Sequence, residues 1–162
     1  LLGIGPMSKN CVDAVIELAN ENDAPLILIA SRRQIDSEEY GGGYVNNWTT
    51  TKYAEYVRSK NIKKNIILAR DHGGPWQNET EVKNNLSLKD AMESAKRSYK
   101  NDIDAGFEIL HIDPSIDLHE TPNVDQVLEG LIRARYTQQS DHDMYIQELS
   151  DNKRNRACFL NQ

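Results

Sequence analysis

Leu26-Ile27-Leu28-Ile29-Ala30 is a nearly unbroken apolar run, and a run of that length and branching describes a strand buried on both faces. Parallel strands packed between a helix layer and another interior have this composition. Ile66-Ile67-Leu68-Ala69 repeats it downstream. Between and around these runs lie longer amphipathic segments, so the chain reads as β-α units feeding a parallel sheet.

Four units are expected. The first has a strand over 2–6 and a helix over 10–22, with Val12, Val15, Ile16 and Ala19 on one face. The second pairs the 26–30 strand with a helix over 50–59 that carries Tyr53, Tyr56 and Val57. In the third, the helix opens at Ser87, where Asp90 stands three residues on in a capping-box-like pair. The fourth has a strand over 107–112 and a helix over 123–135. A polar tail follows over 136–162, expected to be a helix with a frayed end. The domain division is therefore 1–135 for the β-α units and 136–162 for the tail.

A (β/α)8 barrel usually takes about 250 residues, so this chain is expected to supply about half of one. The rest is missing or comes from a second copy, unless the sheet is an open, doubly wound one. The chain begins at Leu1 inside an apolar stretch, without an initiator Met, and this reads as an N-terminal truncation.

A net charge of −6 argues against a general nucleic-acid coat, which needs an excess of Lys and Arg. No apolar run approaches the roughly 20 residues of a membrane helix, and no secretory signal stands out. Two cysteines, Cys11 and Cys158, form no C-x-x-C pattern or disulfide framework. A cytoplasmic, reduced protein is the expectation.

In both barrels and open α/β sheets, ligands bind where strands end and loops begin. Every unusual segment here falls at such a place: Ser31-Arg32-Arg33-Gln34 and Gly41-Gly42-Gly43-Tyr44, then Asp71-His72-Gly73-Gly74-Pro75-Trp76, then Asp113-Pro114-Ser115. An imidazole at a strand end can hold a divalent metal, and a neighbouring carboxylate can move a proton. The same Asp-His pair can equally cap a turn.

His111 and Asp113 alternate with Leu110 and Ile112, so they point to the interior if the apolar pair faces the helices. A lone strand histidine is more often a satisfied core residue, which ranks His111 below His72. Gly42 and Gly43 can wrap a phosphate with backbone N–H groups or form a flexible loop. They belong to neither the dinucleotide fingerprint nor the P-loop pattern. Arg32 and Arg33 can bind a substrate phosphate, though a pair of loop arginines is more often surface charge. Trp48 and Trp76 can wall a pocket or cover an apolar edge. His119 and His142 read as solvated.

Taken together, these segments resemble the family of the so-called non-catalytic subunit of class II tagatose-bisphosphate aldolase. The likeness rests on Leu28-Ile29-Ala30-Ser31 through Gln34, Gly42-Gly43-Tyr44, Ile67-Leu68 with Asp71-His72 and Gly74-Pro75, and Leu110-His111-Ile112-Asp113. It runs from Gly3 to about Arg135.

The resemblance implies a TIM barrel in sugar-phosphate catabolism, similar to zinc-dependent aldolases that cleave a ketose bisphosphate. It gives His72 the role of zinc ligand and Asp71 that of proton shuttle. Gly42, Gly43, His111, Asp113 and Ser115 are the expected substrate-binding positions. The family often shows an acidic residue at the position of Ala30 and a less basic stretch at Arg32-Arg33. The implied partners are a sugar phosphate and a separate catalytic aldolase subunit or further copies of the chain. Two alternatives accompany this reading: a non-enzymatic subunit that stabilises the catalytic one, and a sugar epimerase on the same barrel.

Overall fold

The computed structural model describes residues 2–113, 116, 118 and 119. The expected helix over 123–135 and the tail over 136–162 lie outside the described residues.

Strands β1 (Leu2–Ile4), β2 (Leu26–Ser31), β3 (Ile66–Asp71) and β4 (Ile109–Leu110) form one sheet in the order β1-β2-β3-β4. Every neighbouring pair is parallel, with Ser31 opposite Asp71 and Arg70 opposite Leu110. Helices α1 (Lys9–Asn22), α2 (Thr50–Lys60), α3 (Glu79–Lys83) and α4 (Leu88–Asp104) occupy the connections. Crossovers between parallel strands are almost always right-handed, so a strictly sequential strand order stacks the helices on one face. That is the arrangement of a barrel segment. A doubly wound sheet reverses its order and places helices on both faces.

The helices cover one face of β2 only, so the expected burial of this strand on both faces is not met. Leu26, Leu28 and Ala30 of β2 alternate with the partly exposed Ile27, Ile29 and Ser31. The buried set joins Val12, Val15, Ile16 and Ala19 of α1, Tyr53, Ala54 and Val57 of α2, and Ala95 and Tyr99 of α4 in one core. All four α1 residues expected from helical spacing are buried there.

The helix starts follow from their caps. Ser8 accepts from the Cys11 N–H, Thr49 from Lys52 and Ser87 from Asp90, each satisfying one of the N–H groups a helix leaves without an internal partner. Two short elements were not expected from the sequence: the turn of 3-10 helix Glu38–Tyr40, and α3. Both interrupt loops that look purely polar in sequence. Trp48 and Trp76 are both buried: Trp48 packs in the core against Tyr56, at 4.8 Å between ring centroids, and Trp76 donates its indole N–H to the Leu86 carbonyl at 3.0 Å.

Candidate functional site

Because the strands are parallel, their carboxyl ends share one edge of the sheet. Asp71 closes β3, His72 follows at once, and His111 and Asp113 follow β4. The four side chains meet. His72 Nδ1 lies 2.5 Å from Asp113 Oδ2, and His111 Nδ1 lies 3.1 Å from Asp71 Oδ1. Asp71 also turns its second oxygen toward His72 Nε2, at 3.5 Å, and the imidazole rings stand 6.2 Å apart edge to face. His72 and His111 keep 53% and 38% of their side chains exposed, whereas Asp113 keeps 6%. The imidazoles therefore face solvent at the rim while the carboxylate behind His72 is buried.

The loop after β3 takes an unusual path to achieve this. His72 and Trp76 have φ of 47° and 56°, in the left-handed region that costs a non-glycine residue energy. Gly73 and Gly74 between them are required by contact. A Cβ on Gly73 would stand 2.5 Å from the Tyr99 ring, and one on Gly74 would stand 1.5 Å from the Asp113 carbonyl oxygen. These glycines let the β3 loop close on the β4 end.

Further groups hold the assembly. Gln77 donates to Asp113 Oδ2 at 2.8 Å, and the Tyr99 hydroxyl donates to the His111 carbonyl at 3.0 Å. Behind the loop, Arg32 is fully buried, which corrects the surface-charge reading of that residue. Its Nε donates to Asp36 at 3.1 Å, Nη1 to the Gly74 carbonyl at 3.1 Å, and Nη2 lies 2.6 Å from Glu81. Burial works against the Arg32 charge, but Asp36 and Glu81 outweigh it and hold the guanidinium protonated.

The other expected positions lie apart from this cluster or outside the description. Gly42 and Gly43 donate their N–H groups to the carbonyls of Ser37 and Trp48. Neither N–H is free to wrap a phosphate, and the glycines instead pack against the 34–35 and 47–48 backbone. Ser115 lies outside the described residues, as does His142. His119 is exposed, yet its ring stacks edge-on to Trp76 at 5.7 Å and its Nε2 lies 2.8 Å from the Leu86 carbonyl.

In the neutral tautomer whose Nδ1 donates to Asp113, His72 Nε2 keeps its lone pair. A carboxylate behind an imidazole in this way is the usual support of a metal-binding histidine. The described residues go no further toward a metal centre, because among them no group of three or more His, Cys, Asp or Glu side chains could hold an ion. What the cluster can do unaided is hold and move protons: the Asp71 carboxylate and two rim imidazoles are accessible to a ligand.

Sequentially ordered parallel β-α units with a polar cluster at the strand ends define the protein as a segment of a TIM-like barrel with a rim site. The family model described as D-tagatose-1,6-bisphosphate aldolase subunit GatZ/KbaZ-like matches residues 4–144. The chain belongs to that family, which ties it to carbohydrate metabolism. Its fold is also that of a solved structure described as a probable tagatose 6 phosphate kinase from Sinorhizobium meliloti 1021, with a TM-score of 0.60 and 23% identity. The match takes in 76% of this chain and 31% of that one, so the chain spans about a third of that structure's length. Among the described residues no helix is long and apolar enough to cross a membrane.

Proposed function

We propose that the protein acts in sugar-phosphate metabolism as a subunit taking part in aldol cleavage of a ketose bisphosphate. Membership of a family described by a tagatose-bisphosphate aldolase subunit supports that choice of substrate class. The observation that carries the reading is the convergence of Asp71, His72, His111 and Asp113 on one rim, with each imidazole backed by its own carboxylate.

In this reading Asp71 is the proton carrier, since it is partly exposed and sits between the two imidazoles. His111 orients Asp71 and offers its Nε2 to a substrate hydroxyl. Asp113 and Gln77 fix the His72 ring. We assign His72 Nε2 to a divalent metal, zinc by the resemblance. A catalytic aldolase subunit is the proposed protein partner.

The test is metal content and aldolase activity of the full-length protein, alone and with the partner, for wild type and His72→Ala. Loss of metal together with loss of activity supports the assignment. Equal metal content in both proteins removes His72 from that role. Unchanged cleavage with a partner that merely survives longer would make this chain a stabilising subunit.

A further inference from the structure

The geometry points to the buried pair Arg32–Glu81 as a positioning device that holds the loop carrying His72 in the conformation that meets Asp113. Nothing in the metal or substrate assignment requires Arg32, which reaches neither His72 nor the solvent. It acts on the loop at two places. Arg32 Nη1 donates to the Gly74 carbonyl at 3.1 Å. Through Nη2, 2.6 Å from Glu81 Oε1, it sets a carboxylate whose other oxygen accepts the Trp76 N–H at 2.6 Å.

Gly74 follows left-handed His72 by two residues, and Trp76 is itself left-handed. Trp76 holds its left-handed backbone while fully buried, so the Glu81 oxygen stabilises a conformation that the chain would otherwise leave. Gly74 lies against the Asp113 backbone, so a carbonyl pinned by Arg32 fixes the distance between the β3 loop and the β4 end. His72 Nδ1 and Gln77 Nε2, one on each side of the pinned segment, then converge on the same Asp113 oxygen.

The Arg–Glu pair is itself immobilised. Asp36 takes Arg32 Nε, and its two oxygens are further bonded by Asn78 at 2.7 Å and Ser98 at 2.7 Å. Ser94 Oγ donates to Glu81 Oε1 at 2.5 Å. The device thus ties the loop to α4, which carries Ser94 and Ser98. Only a planar fork can serve Asp36, Gly74 and Glu81 together, and a lysine supplies one point charge in its place.

The inference rests on the reading of His72–Asp113 as functional, but its test uses no substrate and no metal. The readout is the His72 Nδ1–H proton resonance of the full-length, histidine-labelled protein and its exchange with solvent, with His72→Gln as the assignment control. In Arg32→Lys, with the sheet amides still protected, the resonance should be lost or exchange at least about tenfold faster. Glu81→Gln, which keeps an acceptor for Trp76, should show a smaller change in the same direction. An unchanged resonance in folded Arg32→Lys would overturn the proposal. So would failure of both variants to fold, because the pair would then serve the domain as a whole and not the loop. Absence of aldolase activity in the wild type would sink the functional reading and leave this result standing.

Discussion

Gly74 lies so close to Asp113 that a single added carbon would stand 1.5 Å from the Asp113 carbonyl oxygen. The backbone on one side cannot retreat without moving the β4 end, and the β3 loop is held by Arg32 on the other. Gly74→Ala should therefore separate the two halves of the site. We expect a loss of about 1–3 kcal/mol in unfolding by denaturant, the usual range for overpacking. If the proposed function holds, metal and ligand binding should fall more steeply than stability does. An alanine variant as stable as the wild type would show that the two segments can part without cost.

Arg70 and Asp102 form the second buried charge pair, with Nε and Nη2 on the two carboxylate oxygens at 2.7 and 2.6 Å. Arg70 Nη1 also donates to the carbonyls of Ala30 and Ile35, which joins β2, β3 and α4 at one point. Removing one charge strands the other, so Arg70→Met should cost about 3–5 kcal/mol. Adding Asp102→Leu should recover part of that loss, though not the bonds to the two carbonyls. Denaturant unfolding of the single and double variants measures both effects. A double variant less stable than Arg70→Met would refute the argument.

These charge pairs show how the sequence was read well in outline and poorly in its interior. Branched apolar runs locate β2 and β3, and Ser87 with Asp90 locates the start of α4, because each depends on neighbours a few residues away. The alternation at 110–113 likewise places His111 and Asp113 at the rim. Arg32 and Asp36 stand only four residues apart, but the groups that bury and complete them, Gly74, Asn78, Glu81 and Ser98, come from distant segments that no local pattern encodes.

Arg70 was legible in part. It continues the series Ile66, Leu68, whose side chains face the helices, and a charge at that register must find a partner. Asp102 continues the buried α4 series Ala91, Ala95, Ser98 at helical spacing. Neither signal names its partner, because the two residues stand 32 positions apart. The two glycines at 42–43 misled in the opposite sense: a pair that packs Gly42 against 47–48 and Gly43 against 34–35 looks in sequence like a ligand cradle.

Asp13 on α1 is bonded by Lys60 at 2.8 Å, Lys9 at 2.7 Å and the Tyr56 hydroxyl. These three, Lys60 foremost, hold its carboxyl well below the ordinary value of 3.8. A carboxyl depressed by folding contributes stability above that ordinary value and loses it as pH falls below. Thermal unfolding of the wild type should therefore lose ground to Asp13→Asn between pH 5 and pH 2 (about the range over which such a group titrates). The difference should be modest and should shrink with salt, since the cluster is solvent-exposed and screened. A gap that is the same at both pH values would show that the ion cluster contributes nothing to the α1–α2 contact.

Asp113 receives both His72 Nδ1 and Gln77 Nε2 on a single oxygen, so its contribution can be divided into shape and charge. Asp113→Asn keeps an acceptor oxygen for both donors but removes the negative charge behind the imidazole. Asp113→Leu removes acceptor and charge together. If the charge matters, because it strengthens the donor character of His72 Nε2 toward a metal or proton, the asparagine variant should bind metal and cleave substrate about 10–100-fold less well. Its fold should be intact, and Gln77 still bonded. If only ring orientation matters, Asp113→Asn should resemble the wild type and Asp113→Leu alone should fail. Metal titration, and kcat/KM of the two variants together with the proposed aldolase partner, separate these cases. Equal behaviour of both variants and the wild type would remove Asp113, and with it the paired-imidazole rim, from the function.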